Sequence, residues 1–326
     1  FLTMSKTNRR LLIIVNLGTP DAPTPAAVHK FLLEFLSDPG VIDLPRWLWQ
    51  PILRRFVLNS RPSKVAELYR SIWTTEGSPL EVGTRKIARG IREIADDHFE
   101  VTWAYRYGDR SLYRTLSKRV GADTEAIILP LYAHRTSSTT ESVFLEARRA
   151  AQTLGISANL REVMLEADDP GFINALADCC RSTFAKAGGE PDHLLLSYHG
   201  IPTRYDRRER RQYSTDCLAT TNALLKTLNW DPGHATHCYQ SKFGPEPWLK
   251  PTTSDLFTEL PQRRIRSLAV VTPGFLTDGL ETIEEIGIQG RELFKEAGGD
   301  TFIQVNAPED HPALLAGLLR AAFPNF

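Results

Sequence analysis

Short apolar runs rich in Val, Ile and Leu alternate along the chain with longer stretches whose apolar residues recur every three or four positions. The first kind of run suits a strand buried on both faces, and the second an amphipathic helix. The pattern predicts strands at 11–17, 101–107, 126–132, 159–163, 193–199, 235–240, 267–273 and 301–306. It predicts helices at 24–36, 64–73, 80–94, 137–153, 172–186, 213–228, 280–297 and 311–322. Such alternation is the signature of an α/β fold with parallel sheets. The strands divide into two doubly wound, Rossmann-like sheets of about four each. A single eight-stranded barrel fits poorly, because the stretch from Gly18 to Glu100 is too long for one connection between strands. Gly155, Asp168, Asp169 and Pro170 cluster where a seam belongs. The expected domains are therefore 1–155 and 156–307, with a last helix over 308–326 returning to the first.

One segment departs from this rhythm. Residues 41–58 (VIDLPRWLWQPILRRFVL) are apolar and tryptophan-rich, with Arg46, Arg54 and Arg55 interspersed and Pro51 breaking the run. Two readings are open: a buried helix pair, or a lip that grips an apolar ligand or touches a membrane surface, where Trp and Arg sit well together.

Composition narrows the function. Of 326 residues, 39 are Lys or Arg and 39 are Asp or Glu, so the formal net charge is zero. That balance excludes a protein built mainly to bind nucleic acid. No apolar run approaches the roughly 18 residues of a membrane span, and residues 1–10 hold no apolar core of a secretory signal. Cys179, Cys180, Cys217 and Cys238 form no C-x-x-C pair, so they read as idle thiols of a reducing cytosol.

Candidate chemistry gathers where strands end, which is where open α/β sheets bind ligands. Ser197-Tyr198-His199-Gly200-Ile201-Pro202 closes the run Leu194-Leu195-Leu196, and Gly200 and Pro202 turn the chain so that an imidazole is held at the strand tip. Taken alone, that histidine reads more readily as structural than catalytic. Asp278, Glu281 and Glu285 follow the strand at 267–273 and are spaced i, i+3, i+7, one face of a helix. They read either as a solvated acidic first turn or as a carboxylate row that attracts a cation or passes protons. Val15-Asn16-Leu17-Gly18-Thr19-Pro20 ends the first strand without a G-x-G-x-x-G nucleotide fingerprint. Tyr105-Arg106-Tyr107-Gly108 sets a cation between aromatics, and the Pro-rich loop 240–249 presents Trp248. Together these suit a pocket for a flat, apolar, partly anionic ligand.

The same stretches resemble the ferrochelatases, which insert iron(II) into protoporphyrin IX. The likeness runs from about Leu11 to the C-terminal helix and is nearest the short bacterial forms. It rests on NLGTPDAPTPAAV (16–28), FLSDPGVIDLPR (35–46), LSYHGIPTRY (196–205), QSKFGPEPWL (240–249) and PGFLTDGLETIEEI (273–286). The resemblance implies a class II chelatase-like fold, with two Rossmann-like domains and a porphyrin cleft between them. It puts the family's catalytic and metal-binding histidine on His199 and its acidic partner on Glu281, with Asp278 and Glu285 as a proton path. It implies porphyrin contacts at Leu17, Arg106, Tyr107, Tyr132, Trp248 and Phe275.

Two departures stand out. Some members carry His before the Leu/Ile-Glu-Thr triplet, where this chain has Gly279. Other members bind a [2Fe-2S] cluster through cysteines in a P-Q-Y-S-C-S-T stretch and near the C-terminus. Here that stretch reads Tyr132-Ala133-His134-Arg135-Thr136-Ser137-Ser138-Thr139, so no such cluster and no tightly bound cofactor is expected. Fe(II) is then a substrate. Leu17 stands where coproporphyrin enzymes tend to carry Tyr, which leans toward protoporphyrin. Coproporphyrin III or sirohydrochlorin chelation and a non-catalytic tetrapyrrole carrier are the alternatives, and a carrier would need neither His199 nor Glu281. The resemblance also leads to the expectation of a cytoplasmic monomer or weak dimer, peripheral to the inner face of the membrane.

Overall fold

The computed structural model describes residues 9–95, 98–121 and 123–325. The reading of a missing secretory signal falls mostly on residues 1–8, outside the described residues. Among the described residues eight strands form: β1 Arg9–Asn16, β2 Glu100–Tyr105, β3 Thr124–Pro130, β4 Leu160–Glu162, β5 His193–His199, β6 Ala235–Gln240, β7 Ser267–Val271 and β8 Thr301–Gln304. They make two four-stranded sheets in the orders β2-β1-β3-β4 and β6-β5-β7-β8, and every pair is parallel. The central strands carry the most continuous apolar runs. Leu11 to Val15 and Leu194 to Leu196 are wholly buried, as a strand covered by helices on both faces must be.

The chain divides into two compact units. One is Phe1–Leu165 with Leu318–Phe326, and the other is Glu166–Gly317. The seam lies after Leu165 rather than after residue 155, because β4 pairs with β3 through Ala126 and Leu160 and so completes the first sheet. The helix Pro312–Ala322 spans the second division of the chain, and its first-unit end docks locally. The Phe323 ring lies tilted against that of Phe99, 4.1 Å between centroids, with the Arg10 and Arg161 guanidiniums over it.

Helix starts follow the capping chemistry of the sequence. Thr24 accepts from the Ala27 N–H and Pro25 opens the helix Pro25–Leu36. Asp169 accepts from Gly171 and Phe172 ahead of Pro170–Lys186. The short helices Leu112–Arg119, Thr203–Arg208 and Thr253–Gln262 escape the sequence pattern, being too brief for a clear period. In the first unit Leu11, Ile13, Val15, Ile128 and Phe144 share a core; in the second, Leu195, Val270, Ile286, Phe257 and Phe294 do.

Segment 41–58 is neither wholly buried nor wholly surface. It forms the helix Arg46–Ile52 and one wide π-turn, Leu53–Val57, that runs into Leu58–Ile72. Leu53 and Leu58 are buried with Leu36, and Trp49 packs against them while its indole N–H donates to the Leu36 carbonyl at 2.7 Å. Trp47 is 79% exposed and Phe56 66%.

Candidate active site

His199 ends β5 and is half-buried. Its Nδ1 lies 2.7 Å from the Gly200 carbonyl, and a carbonyl only accepts, so Nδ1 carries the proton. In the neutral ring the lone pair is therefore on Nε2. The Tyr213 hydroxyl donates to the His199 carbonyl at 2.6 Å and fixes the backbone from behind. The turn is drawn tight by the Gly200 N–H, which donates to the Gln240 carbonyl at 2.7 Å. A Cβ on Gly200 would stand 2.7 Å from that carbonyl oxygen and 3.1 Å from the Trp248 ring, so glycine is what lets the three meet. Trp248 thus packs over the turn next to His199, and its indole N–H is buried without a partner. The Phe275 ring centroid is 6.4 Å from that of His199.

The acidic residues sit on an uncommon element. Leu280–Gly290 is a π-helix, followed by the α-helical Arg291–Glu296, where the sequence pattern predicts one α-helix over 280–297. Its first carbonyls are taken by side chains of the sheet: Gln240 Nε2 donates to the Glu281 carbonyl at 2.6 Å, and Gln304 Nε2 to that of Thr282 at 2.8 Å. Gly287 and Gly290 let the wide helix press onto Gln304 and the Phe257 ring, with no room for a Cβ at either place. Long π-helical stretches are rare and concentrate at functional sites.

Asp278 lies before this helix, not in a row on its face. It accepts from the Thr282 hydroxyl at 2.8 Å and from the Ala307 N–H at 3.3 Å, so it ties the loop down. Glu281 opens the helix. Burial raises its carboxyl above the ordinary range; the nearby His199 opposes this, and Glu285 adds to it. Glu285, one turn on, accepts from the Ser241 N–H at 2.7 Å and the Ser241 hydroxyl at 2.6 Å. A third acid, Glu284, is buried and held by Gln289 at 2.8 and 2.9 Å. A Cβ on Gly279 would meet only the Glu281 Oε2, at 3.3 Å.

The first unit places the other sequence candidates. Arg106 and Tyr107 converge on Asp38, with the Arg106 Nη2 and the Tyr107 hydroxyl each 2.6 Å from Oδ2. The Ser142 hydroxyl donates to the same oxygen at 2.6 Å. Burial pushes the Asp38 carboxyl up, but these donors, the Gly40 N–H and the Arg106 charge outweigh it and hold the group below its ordinary range. Tyr107 is 1% exposed, with its hydroxyl held by Asp38, and it borders the groove beside that residue. Arg106 is largely spent on Asp38 and Ser142. Leu17 is half-buried after β1, and Tyr132 is half-buried against the first core. Beside Asp38, a groove of about 450 Å³ opens between the helices Pro25–Leu36 and Arg46–Ile52, lined in part by Lys30, Arg46, Gln50 and Arg54.

Among the described residues, no three His, Cys, Asp or Glu side chains gather as a metal nest. The four cysteines are free thiols. What the second unit presents at the tip of β5 is the His199 imidazole, with a short run of carboxylates on the helix after β7.

Known proteins share this architecture. SirB from Bacillus subtilis with Fe3+ superposes with a TM-score of 0.55 at 10% identity, covering 96% of this chain and 94% of that one. The sirohydrochlorin chelatase SirB from Bacillus subtilis subspecies spizizenii, in complex with cobalt, gives 0.53 at 10% identity with the same coverage. The fold is thus that of the class II chelatases, with its two four-stranded parallel sheets. A sequence profile of the ferrochelatases matches residues 10–323. The ferrochelatase of Edwardsiella ictaluri (strain 93-146) is 42% identical over 300 residues, 92% of each chain, and that of Enterobacter sp. (strain 638) is 41% identical over 302 residues, 92% of this chain and 93% of the other. The chain belongs to the ferrochelatase family, whose reaction is the insertion of iron into a porphyrin for heme synthesis, a lyase reaction.

Proposed function

We propose that the porphyrin is protoporphyrin IX, and that His199 and Glu281 are the groups that meet the incoming iron(II) and the two departing protons. The observation that carries this is the His199 ring: its Nδ1–H is engaged by Gly200, so its Nε2 lone pair is left to act beside the half-buried Glu281. A free-base porphyrin holds its lone pairs in plane with two inner N–H groups. A site that favours a bent ring aims those lone pairs at one face and lowers the barrier relative to the flat substrate. Imidazole and carboxylate both suit iron(II), and a neutral imidazole also accepts a pyrrole proton. Glu281, with its carboxyl raised by desolvation, binds a proton more readily than an ordinary carboxylate and so helps each proton leave. Trp248 and Phe275 supply apolar contact near His199, and Leu17 and Tyr132 remain candidate contacts at the ends of β1 and β3.

Anaerobic metalation of protoporphyrin IX beside coproporphyrin III, followed by absorbance, tests the substrate. A faster rate with coproporphyrin III would replace the proposed porphyrin, and binding without metalation would restore the carrier reading. His199→Ala should abolish insertion while porphyrin affinity stays near wild type. Retention of more than about a tenth of the rate, a barrier change under roughly 1.4 kcal/mol, would remove the role. Glu281→Gln should be severe and Glu285→Gln milder.

No helix among the described residues is long and apolar enough to cross a membrane. We place the protein in the cytosol, resting on the inner membrane face through segment 44–56. Leu44, Trp47, Leu48, Ile52 and Phe56 are exposed there, and Arg46 and Arg54 flank them, a pairing that suits an anionic interface. Trp47→Ser with Phe56→Ser should lower flotation with anionic liposomes at least several-fold; unchanged flotation would leave the segment without a membrane role.

A further inference from the structure

Ser241 follows β6 with φ +62°, the left-handed region that serine adopts only under constraint. That conformation turns its N–H onto Glu285 Oε1 while its hydroxyl reaches Oε2. Gln240, one residue earlier and 3% exposed, donates to the Glu281 carbonyl and, at 3.4 Å, to Glu285 Oε2. Its own Oε1 is held at 2.8 Å by the hydroxyl of Ser197, two residues before His199 on β5. The Gln240 carbonyl in turn holds the Gly200 N–H, one residue after His199. One dipeptide therefore grips the imidazole strand on both sides of His199 and the first turn of the helix that carries the acids. Every donor on Gln240 and Ser241 used here faces Glu281 or Glu285.

We propose that Gln240 and Ser241 are positioning residues for metal insertion: they set the spacing of His199 and Glu281 and hold Glu285 as a fixed acceptor. Neither touches a reacting atom. This rests on the reading of His199 and Glu281 as the groups that meet metal and protons. Glycine would occupy position 241 without strain and would keep the N–H. What it lacks is the hydroxyl, so the hydroxyl is the reason for tolerating the strained backbone.

Ser241→Gly separates the two roles. It relieves the left-handed strain and deletes only the bond to Oε2. A merely structural serine predicts a lower melting temperature together with the lost rate. Positioning predicts kcat reduced tenfold or more, KM for the porphyrin within twofold of wild type and a melting temperature equal or higher. Gln240→Glu, which turns the donor toward Glu281 into an acceptor, should lower kcat at least as much. A Ser241→Gly kcat within twofold of wild type, or a loss of rate that tracks a fall in melting temperature, overturns the proposal. Glu281→Gln run in parallel distinguishes the two failures. If it is inactive while Ser241→Gly is fully active, only the clamp is wrong; if it keeps its full rate, the reading of the site fails as well.

Discussion

Gly279 shows how much one missing side chain leaves open. Its φ of −162° is ordinary extended backbone, so position 279 accepts any residue without backbone strain. A Cβ there would stand 3.3 Å from the Glu281 carboxylate, close enough that the carboxylate must give by a few tenths of an ångström, which a flexible side chain can do. Gly279→His should therefore fold. It should add a limb near the imidazole pKa of about 6.5 to the pH–rate profile, without a large gain at pH 7. A tenfold gain would show that the enzyme lacks a needed group, and an unchanged profile would show that position 279 does not face the reacting centre. At this scale the sequence puts His199 at a strand tip and Glu281 at a helix start, where the structure has them, because both are local features. It was a poor guide to Asp38, Gln240 and Ser241. Their partners lie 68, 41 and 44 residues away in the chain, and no local pattern announces such a meeting.

Elements were legible where apolar runs were long and buried, which is why every expected stretch holds a strand: β5 and β6 match end to end, β4, β7 and β8 fall inside, and β1, β2 and β3 begin one or two residues early. The winding of the helix after β7 was not legible. A period of three to four fits both an α- and a π-helix over so short a span, and the choice is made by tertiary contacts from Gln240 and Gln304. The same tertiary closeness sets the tip of β5 against that of β6. Gly200→Ala puts a methyl group within 2.7 Å of a backbone oxygen that cannot retreat without breaking the bond from residue 200. We expect a destabilisation of about 1–3 kcal/mol, as for overpacked sites, and a loss of rate as Gln240 and Trp248 shift. Urea unfolding measures the first and zinc insertion the second; a stability change below about 0.5 kcal/mol, typical of surface positions, would show that the turn has slack.

Across the whole chain, the two units are built alike around a parallel sheet but differ in how each treats its buried charge. The second exposes an imidazole lone pair next to acids. The first gathers Arg106, Tyr107 and Ser142 on one carboxylate and leaves it no open lone pair of consequence. Such a centre serves stability, and its pH dependence follows from the sign of the Asp38 shift. The folded carboxyl is held below the value of 3.8 expected for the unfolded chain. Above that pH both states are ionised and the full contribution of the cluster is present. As pH falls below it the unfolded chain takes up a proton first, and the contribution is lost as pH passes through the folded value. Asp38→Asn leaves the Arg106 guanidinium without its partner and should cost about 3 kcal/mol near neutral pH, as when one member of a buried pair is removed. The gap in unfolding free energy between wild type and variant should stay level from pH 7 to about pH 5 and narrow as the solution is taken below pH 4. A gap that stays constant down to pH 3, or widens, would mean that the carboxylate is not what Arg106, Tyr107 and Ser142 stabilise.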